Sequence, residues 1–258
     1  MAIHPTAIIS PQAHIADSAD IGPYCVIEGD VTIGARTRLM AHVYIDGPTT
    51  IGDDNLVFPY AVLGVASPDL KYKGEHATTE IGHRNKIREY VTVHRGTSVG
   101  GGLTRIGDDN LLMANAHVAH DCLLASHIIM ANGATLGGHV TVEDWAIVGA
   151  FSGVHQFCRV GKHSIIGGYS VITRDVMPYS NTTTPRDAKS FGPNKVGLER
   201  RGYSSDVINA LHKALRILTR AGLNTTQAIE RVRAEVPPCA EIDDLIAFIE
   251  ASERGVIK

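Results

Sequence analysis

Four histidines, His117, His120, His139 and His155, fall close together in the chain with Asp121, Gly138 and Gln156. Their spacing is regular. His120, Gly138 and Gln156 follow one another at intervals of eighteen residues, and so do Asp121 and His139. In a chain that coils once every eighteen residues, all seven would crowd one edge of three successive coils. A histidine beside a carboxylate is a general base near neutral pH, because the acid orients the ring and supports its charge. A glycine offers its N–H to a ligand with no side chain in the way, as an oxyanion donor requires. Base plus oxyanion donor points to acyl transfer from a thioester to a hydroxyl or an amine. No covalent nucleophile accompanies them, since Cys122 occupies a small-residue position expected to face inward.

The coil itself is written in the sequence. Starting at Ile3, every sixth residue is aliphatic: Ile9, Ile15, Ile21, Ile27, Ile33, Leu39, Ile45, Ile51, Val57 and Leu63. The phase resumes at Ile81, Ile87 and Val93 and slips by one residue. It then runs from Ile106 through Leu112, Val118, Leu124, Met130, Leu136, Val142, Val148, Val154, Val160 and Ile166 to Ile172. Gly22, Gly34, Gly52 and Gly82 directly follow aliphatic positions, where a backbone turns without a Cβ clash, and Cys25, Thr37, Ala116, Ala134 and Ser152 fill the small fifth place. A six-residue repeat suits a short strand plus a corner, with three repeats to a triangular coil. At about 4.8 Å per strand, nine or so coils stand roughly 45 Å tall. So narrow a prism excludes large aromatics from its corners, which accounts for their 5% share.

Two segments, 66–79 and 99–105, break the repeat and are expected to protrude as loops, where function gathers on rigid scaffolds. After Pro178 the repeat fades into a polar connector, 179–203, with Arg186, Lys189, Lys195, Arg200 and Arg201. Residues 204–258 change to helical spacing, with helices expected over 205–222, 225–236 and 241–251. The reading is a mainly β prism over 1–178, a substrate-contacting connector, and an α-helical cap.

Composition narrows the function. A net charge of −3 gives no basic field for nucleic acid. No apolar run is long enough to span a membrane, and the N-terminus has no secretory pattern. Cys25, Cys122, Cys158 and Cys239 are scattered without a C-x-x-C pair, which fits a reducing cytoplasm.

The repeat resembles the hexapeptide-repeat family, whose fold is a left-handed parallel β-helix. Within it, residues 110–122 (NLLMANAHVAHDC), 135–142 (TLGGHVTV), 154–161 (VHQFCRVG) and 197–202 (GLERRG) resemble the UDP-N-acetylglucosamine acyltransferases of lipid A biosynthesis. So do residues 68–75 (PDLKYKGE), 87–97 (IREYVTVHRGT) and the terminal ASERGVIK. The resemblance implies a homotrimer, without cofactor or metal, that moves a 3-hydroxyacyl chain from acyl carrier protein to the sugar 3-hydroxyl. It implies His120 as base, Asp121 as its support and the Gly138 amide as oxyanion donor. His117, His139 and Gln156 would position sugar and acyl chain, and Asp69 and Lys71 would reach the substrates from a neighbouring subunit. His155, Asn194, Arg200 and Arg201 would surround the nucleotide and its diphosphate, where arginine supplies forked donors. Gly168 lies where the family measures acyl length, and its smallness implies a longer chain. An acidic carrier needs a basic landing site, for which Arg84, Lys86, Arg88, Lys213, Arg216 and Arg220 are candidates.

The chain also departs from the family. Pro68 replaces a polar residue, Val196 an acid at the ribose, and residues 180–190 lack the usual turn. The acceptor is therefore open between a hydroxy sugar and an amino-sugar analogue. Two further readings stand beside acyl transfer. One is a zinc site of the trimeric carbonic-anhydrase type, although His117 and His120 are three residues apart, not five. The other is a non-catalytic β-helical scaffold.

Overall fold

Strands of only two to four residues persist because each, except those ending a sheet, is bonded on both edges to an equivalent strand. The computed structural model describes residues 2–184, 190, 192–220, 222–252 and 256. Its strands assemble into three all-parallel sheets of ten, nine and eight strands. Every third strand returns to the same sheet, so Leu111 pairs with Ile129, Ile129 with Ile147 and Ile147 with Ile165. The architecture is a left-handed parallel β-helix of about ten turns with a small C-terminal helical part. Two compact units result, Met1–Thr184 and Pro185–Lys258.

The aliphatic repeat forms the core of the first unit. Ile27, Leu39, Ile45, Leu63, Leu112, Val118, Leu136 and Val148 are fully buried. Ile3 is 38% exposed because the first coil has no coil beneath it. At one inner corner a polar ladder replaces the aliphatics. Asn55 Oδ1 accepts from the backbone and side-chain N–H of Asn85, Asn85 Oδ1 from Asn110 N–H, and Asn110 Oδ1 from Ile128 N–H. These side chains satisfy corner amides that no strand pairing reaches.

Two expectations are corrected. The glycines after the aliphatics are not the left-handed turning residues. Positive φ falls two places later, on residues such as Tyr24, Arg36, His42, Asp54, Tyr60 and Trp145. Gly107 is instead a point of close approach, where a Cβ would lie 2.6 Å from the Ala125 carbonyl oxygen of the next coil. Aromatics are not excluded from the corners either. They stand outside them in stacks, Tyr24–His42–Tyr60–Tyr90 along one edge and His127–Trp145–His163–Tyr179 along another.

Both interruptions leave the prism beside His94. The first departs after strand Val62–Val65, which pairs with Thr92–His94, and returns in Thr78–Ile81. The second is shorter than its sequence break: a single 3₁₀ turn, Ser98–Gly100, after which Leu103–Ile106 rejoins the sheet. Thr104 there takes a fully buried inward place. The pairing step across these insertions lengthens accordingly, from Val62 to Thr92 and from Thr92 to His117.

In the second unit, helix α1 (Lys195–Arg200) stands in the connector that reads as irregular. Helices α2 (Ser205–Arg220), α3 (Thr225–Glu235) and α4 (Ala240–Glu250) follow. Asn224 and Gln227 form a capping box at the start of α3. Ala214, Ile217, Ala228, Val232, Ile242 and Ile246 form a core of their own. Arg186, Lys189, the Arg220 side chain and most of the terminal ASERGVIK segment lie outside the described residues.

Candidate active site

Asp121 sits at a corner with φ 60, a conformation that aspartate tolerates better than most residues. The corner turns its carboxylate inward until the side chain is 0% exposed. A buried carboxylate must be compensated, and three donors do so. Thr97 N–H reaches Oδ1 at 2.8 Å, the Thr97 hydroxyl reaches Oδ2 at 2.7 Å, and His120 Nδ1 lies 2.7 Å from Oδ2. The Asp121 N–H donates to Thr104 Oγ1 at 2.8 Å. Gly100 closes over the carboxylate, and a Cβ there would collide with it.

This arrangement fixes the tautomer of His120. A carboxylate can only accept, so Nδ1 carries the proton and Nε2 keeps its lone pair. Gly138 lies against that ring: a Cβ would sit 2.6 Å from His120 Cε1 and 2.7 Å from Nε2. Among the described residues nothing accepts the Gly138 N–H, while its carbonyl accepts from Phe157 N–H at 3.0 Å. A base, its orienting acid and a spare amide donor therefore meet at one point.

Other histidines wall the point in. His139 meets His120 edge-on at 5.1 Å and stacks on Phe157 at 4.4 Å. His117 Nδ1 is 2.7 Å from the Thr92 hydroxyl and meets His94 edge-on at 4.9 Å. Burial, and secondarily the nearby His120, pushes His117 below the ordinary histidine range. Burial, then His117 and His120, pushes His94 down to about 4. Burial therefore disfavours a positive charge on His94 and His117 beside the His120 ring.

The eighteen-residue stack places His120, Gly138 and Gln156 together as expected. Gln156 and His155 are exposed above it, with His155 Nδ1 3.2 Å from the Gln156 carbonyl. Gly168 belongs to a different corner, against Ala150. Asp69 and Lys71 lie in the first insertion, where Asp69 Oδ1 accepts from Lys71 N–H at 2.9 Å. Asn194, Arg200 and Arg201 belong to the second unit. Asn194 caps α1 by accepting from Gly197 N–H at 3.1 Å, Arg201 Nη1 donates to the Gly197 carbonyl at 3.0 Å, and Arg200 is exposed. Two of the basic candidates are already committed, Arg84 to Asp108 and Asp109 and Arg88 to Glu89. Cys122 points inward, and burial pushes its thiol up to about 12, so it is no nucleophile near neutral pH.

Sequence reasoning missed His94, Thr97, Gly100 and Thr104. An eighteen-residue rule cannot reach across an insertion. Pairing Thr92 with His117 brings His94 beside His117 and the following turn onto Asp121. Possible ligand atoms of His120, Asp121 and His139 all lie within 4.8 Å of one another. Asp121 Oδ2, however, already receives the Thr97 hydroxyl and the His120 ring.

Comparison with known proteins agrees with the geometry. Residues 175–257 match the family model described as Udp N-acetylglucosamine O-acyltransferase, domain 2. The chain is 49% identical over 256 residues to the acyl-[acyl-carrier-protein]–UDP-N-acetylglucosamine O-acyltransferase of Thermodesulfovibrio yellowstonii, covering 99% of each. It is 46% identical to that of Syntrophobacter fumaroxidans over the full length of both. The solved LpxA structure from Acinetobacter baumannii superposes with a TM-score of 0.71 at 45% identity, covering 100% of both chains. The chain belongs to the UDP-N-acetylglucosamine O-acyltransferase family.

Proposed function

We propose that this chain transfers a 3-hydroxyacyl group from acyl carrier protein to the 3-hydroxyl of UDP-N-acetylglucosamine, the first step of lipid A biosynthesis. The observation that carries the reading is the 2.7 Å contact of His120 Nδ1 with the buried Asp121 carboxylate, which leaves Nε2 basic beside Gly138. His120 Nε2 takes the proton of the sugar hydroxyl as its oxygen attacks the thioester carbonyl carbon. The carbonyl electron pair moves onto oxygen, where the Gly138 N–H binds it. Collapse restores the carbonyl and expels the carrier's thiolate, which recovers the proton from His120. Asp121 supports the transient imidazolium without itself taking the proton.

His117, His139 and Gln156 position sugar and acyl chain in this reading. Asp69 and Lys71 act on the site of a neighbouring subunit in a homotrimer, with C₃ closure suiting a triangular prism. His155, Asn194, Arg200 and Arg201 hold the nucleotide, and the 179–203 connector, which in the chain follows the prism of 1–178 and precedes the cap of 204–258, is a substrate-contacting segment. Gly168 sets acyl length, and the reaction takes place in the cytoplasm. No described helix is long and apolar enough to cross a membrane.

His120→Ala tests the assignment. Loss of the base lowers kcat by about 10²- to 10⁴-fold with the far-UV spectrum and oligomeric state unchanged, read by mass spectrometry of the acylated nucleotide sugar. Activity within a few-fold of the parent would remove His120 from the mechanism.

A further inference from the structure

Besides the strand pairing of Thr78 and Thr79 with Leu103 and Thr104, one side chain ties the first insertion to the turn that opens the second. Glu75, near the end of the first insertion, accepts at Oε1 from both the N–H and the hydroxyl of Ser98, at 3.2 and 3.1 Å. Its Oε2 accepts from Lys73 N–H at 2.7 Å, and its carbonyl accepts from the Tyr72 hydroxyl at 3.2 Å. Ser98 follows Thr97, the residue whose N–H and hydroxyl both hold the Asp121 carboxylate. The Thr97 carbonyl in turn accepts from Gly100 and Gly102 N–H, at 3.0 and 2.8 Å, which keeps Gly100 folded over that carboxylate. On the other side, Lys73 lies two residues from Lys71.

We infer that Glu75 is a positioning residue, a clasp between the loop that carries Asp69 and Lys71 and the turn that encloses the Asp121 carboxylate. The inference rests on the roles given above to Asp69, Lys71 and the His120–Asp121 pair. Its physical content is preorganisation. A loop of about a dozen residues without secondary structure has many conformations to lose when substrate binds. A carboxylate gripping two separate backbone amides and a hydroxyl removes much of that freedom beforehand. The backbone donor of Lys73, then that of Glu75 itself, with smaller help from Ser98, hold the Glu75 carboxyl at about 2, so the clasp stays charged throughout the physiological range. None of its contacts involves a hexad position or the aliphatic core, so opening it leaves the prism intact.

The test compares Glu75→Ala, Glu75→Gln and Ser98→Ala in the full-length protein. Two readouts apply: steady-state kinetics for nucleotide sugar and acyl carrier substrate, and trypsin cleavage at Lys71 and Lys73. Glu75→Ala is expected to raise KM by about tenfold with kcat changed less than threefold, as loss of preorganised binding does. The same variant should speed cleavage in the loop by about tenfold, with the thermal midpoint unchanged. Glu75→Gln retains one acceptor oxygen and should recover most of the KM, and Ser98→Ala should add nothing to Glu75→Ala. Parental KM and parental cleavage in Glu75→Ala would overturn the inference, as would a fall in kcat alone. If Glu75→Ala does not fold, Glu75→Gln and Ser98→Ala decide on the same two readouts. The catalytic reading fails separately: an active His120→Ala removes the base assignment, whereas the cleavage result still reports on the clasp.

Discussion

Gly138→Ala isolates the contact on which the mechanism depends. Gly138 is not among the positive-φ residues, so alanine meets no backbone strain and slightly restricts the unfolded chain. The added methyl would lie 2.6 Å from His120 Cε1, 2.7 Å from Nε2 and 3.2 Å from Nδ1. Ordinary carbon contacts are about 3.5–4.0 Å, so the ring must retreat by about 1 Å. It cannot retreat freely, being held at 2.7 Å by Asp121 and faced edge-on by His139 at 5.1 Å. Either the hydrogen bond to Asp121 breaks or Nε2 leaves the line of attack. A displacement of that size costs about 10²-fold in rate, so kcat should fall by about that factor with KM little changed. Because both substitutions act through one group, Gly138→Ala combined with His120→Ala should be no slower than His120→Ala alone. The assay is initial-rate acyl transfer with the four proteins of the cycle. Activity of Gly138→Ala within threefold of the parent, or losses that multiply in the double variant, would refute the reasoning.

Three further outcomes follow from the same structure. Asn85→Ala strands the Asn110 N–H and a Gly107 carbonyl contact inside the prism, and should destabilise the fold by about 3 kcal/mol in urea unfolding; a change below 0.5 kcal/mol would mean the ladder is not stabilising. His94, held near 4 by burial, binds fewer protons folded than unfolded, so its contribution to stability is lost as pH falls from about 6.5 to 4. After allowance for partial solvent access this is about 2 kcal/mol, and His94→Phe should flatten that part of the stability profile, an unchanged profile excluding His94 as its source. Chelation with exhaustive dialysis should leave acyl transfer within twofold, whereas stoichiometric zinc lost together with activity would move the His120–Asp121–His139 cluster to metal chemistry.

The acceptor question raised by Val196 has a structural setting, since that side chain is 57% exposed on α1. Turnover of the 3-hydroxy and 3-amino nucleotide sugars in parallel decides it, with the hydroxy sugar expected to be preferred.

What the sequence determined by itself is whatever depends on a period. One aliphatic at every sixth place forces a coil of short strands, and an uninterrupted coil fixes which residues lie above one another. That is why His120, Gly138 and Gln156, and the inward Cys122, were legible without coordinates. What depends on an insertion or on the outside of a corner was not. The turn at 97–100 folds back onto Asp121 only because the added residues shift the pairing step, and no periodic rule states where such a loop lands. The outer corners have no packing partner to restrict ring size, so aromatics excluded from the interior stack there instead. The placement of the proposed base and its acid is thus a property of the repeat, while the burial, tautomer and enclosure on which that proposal rests were decided by tertiary structure.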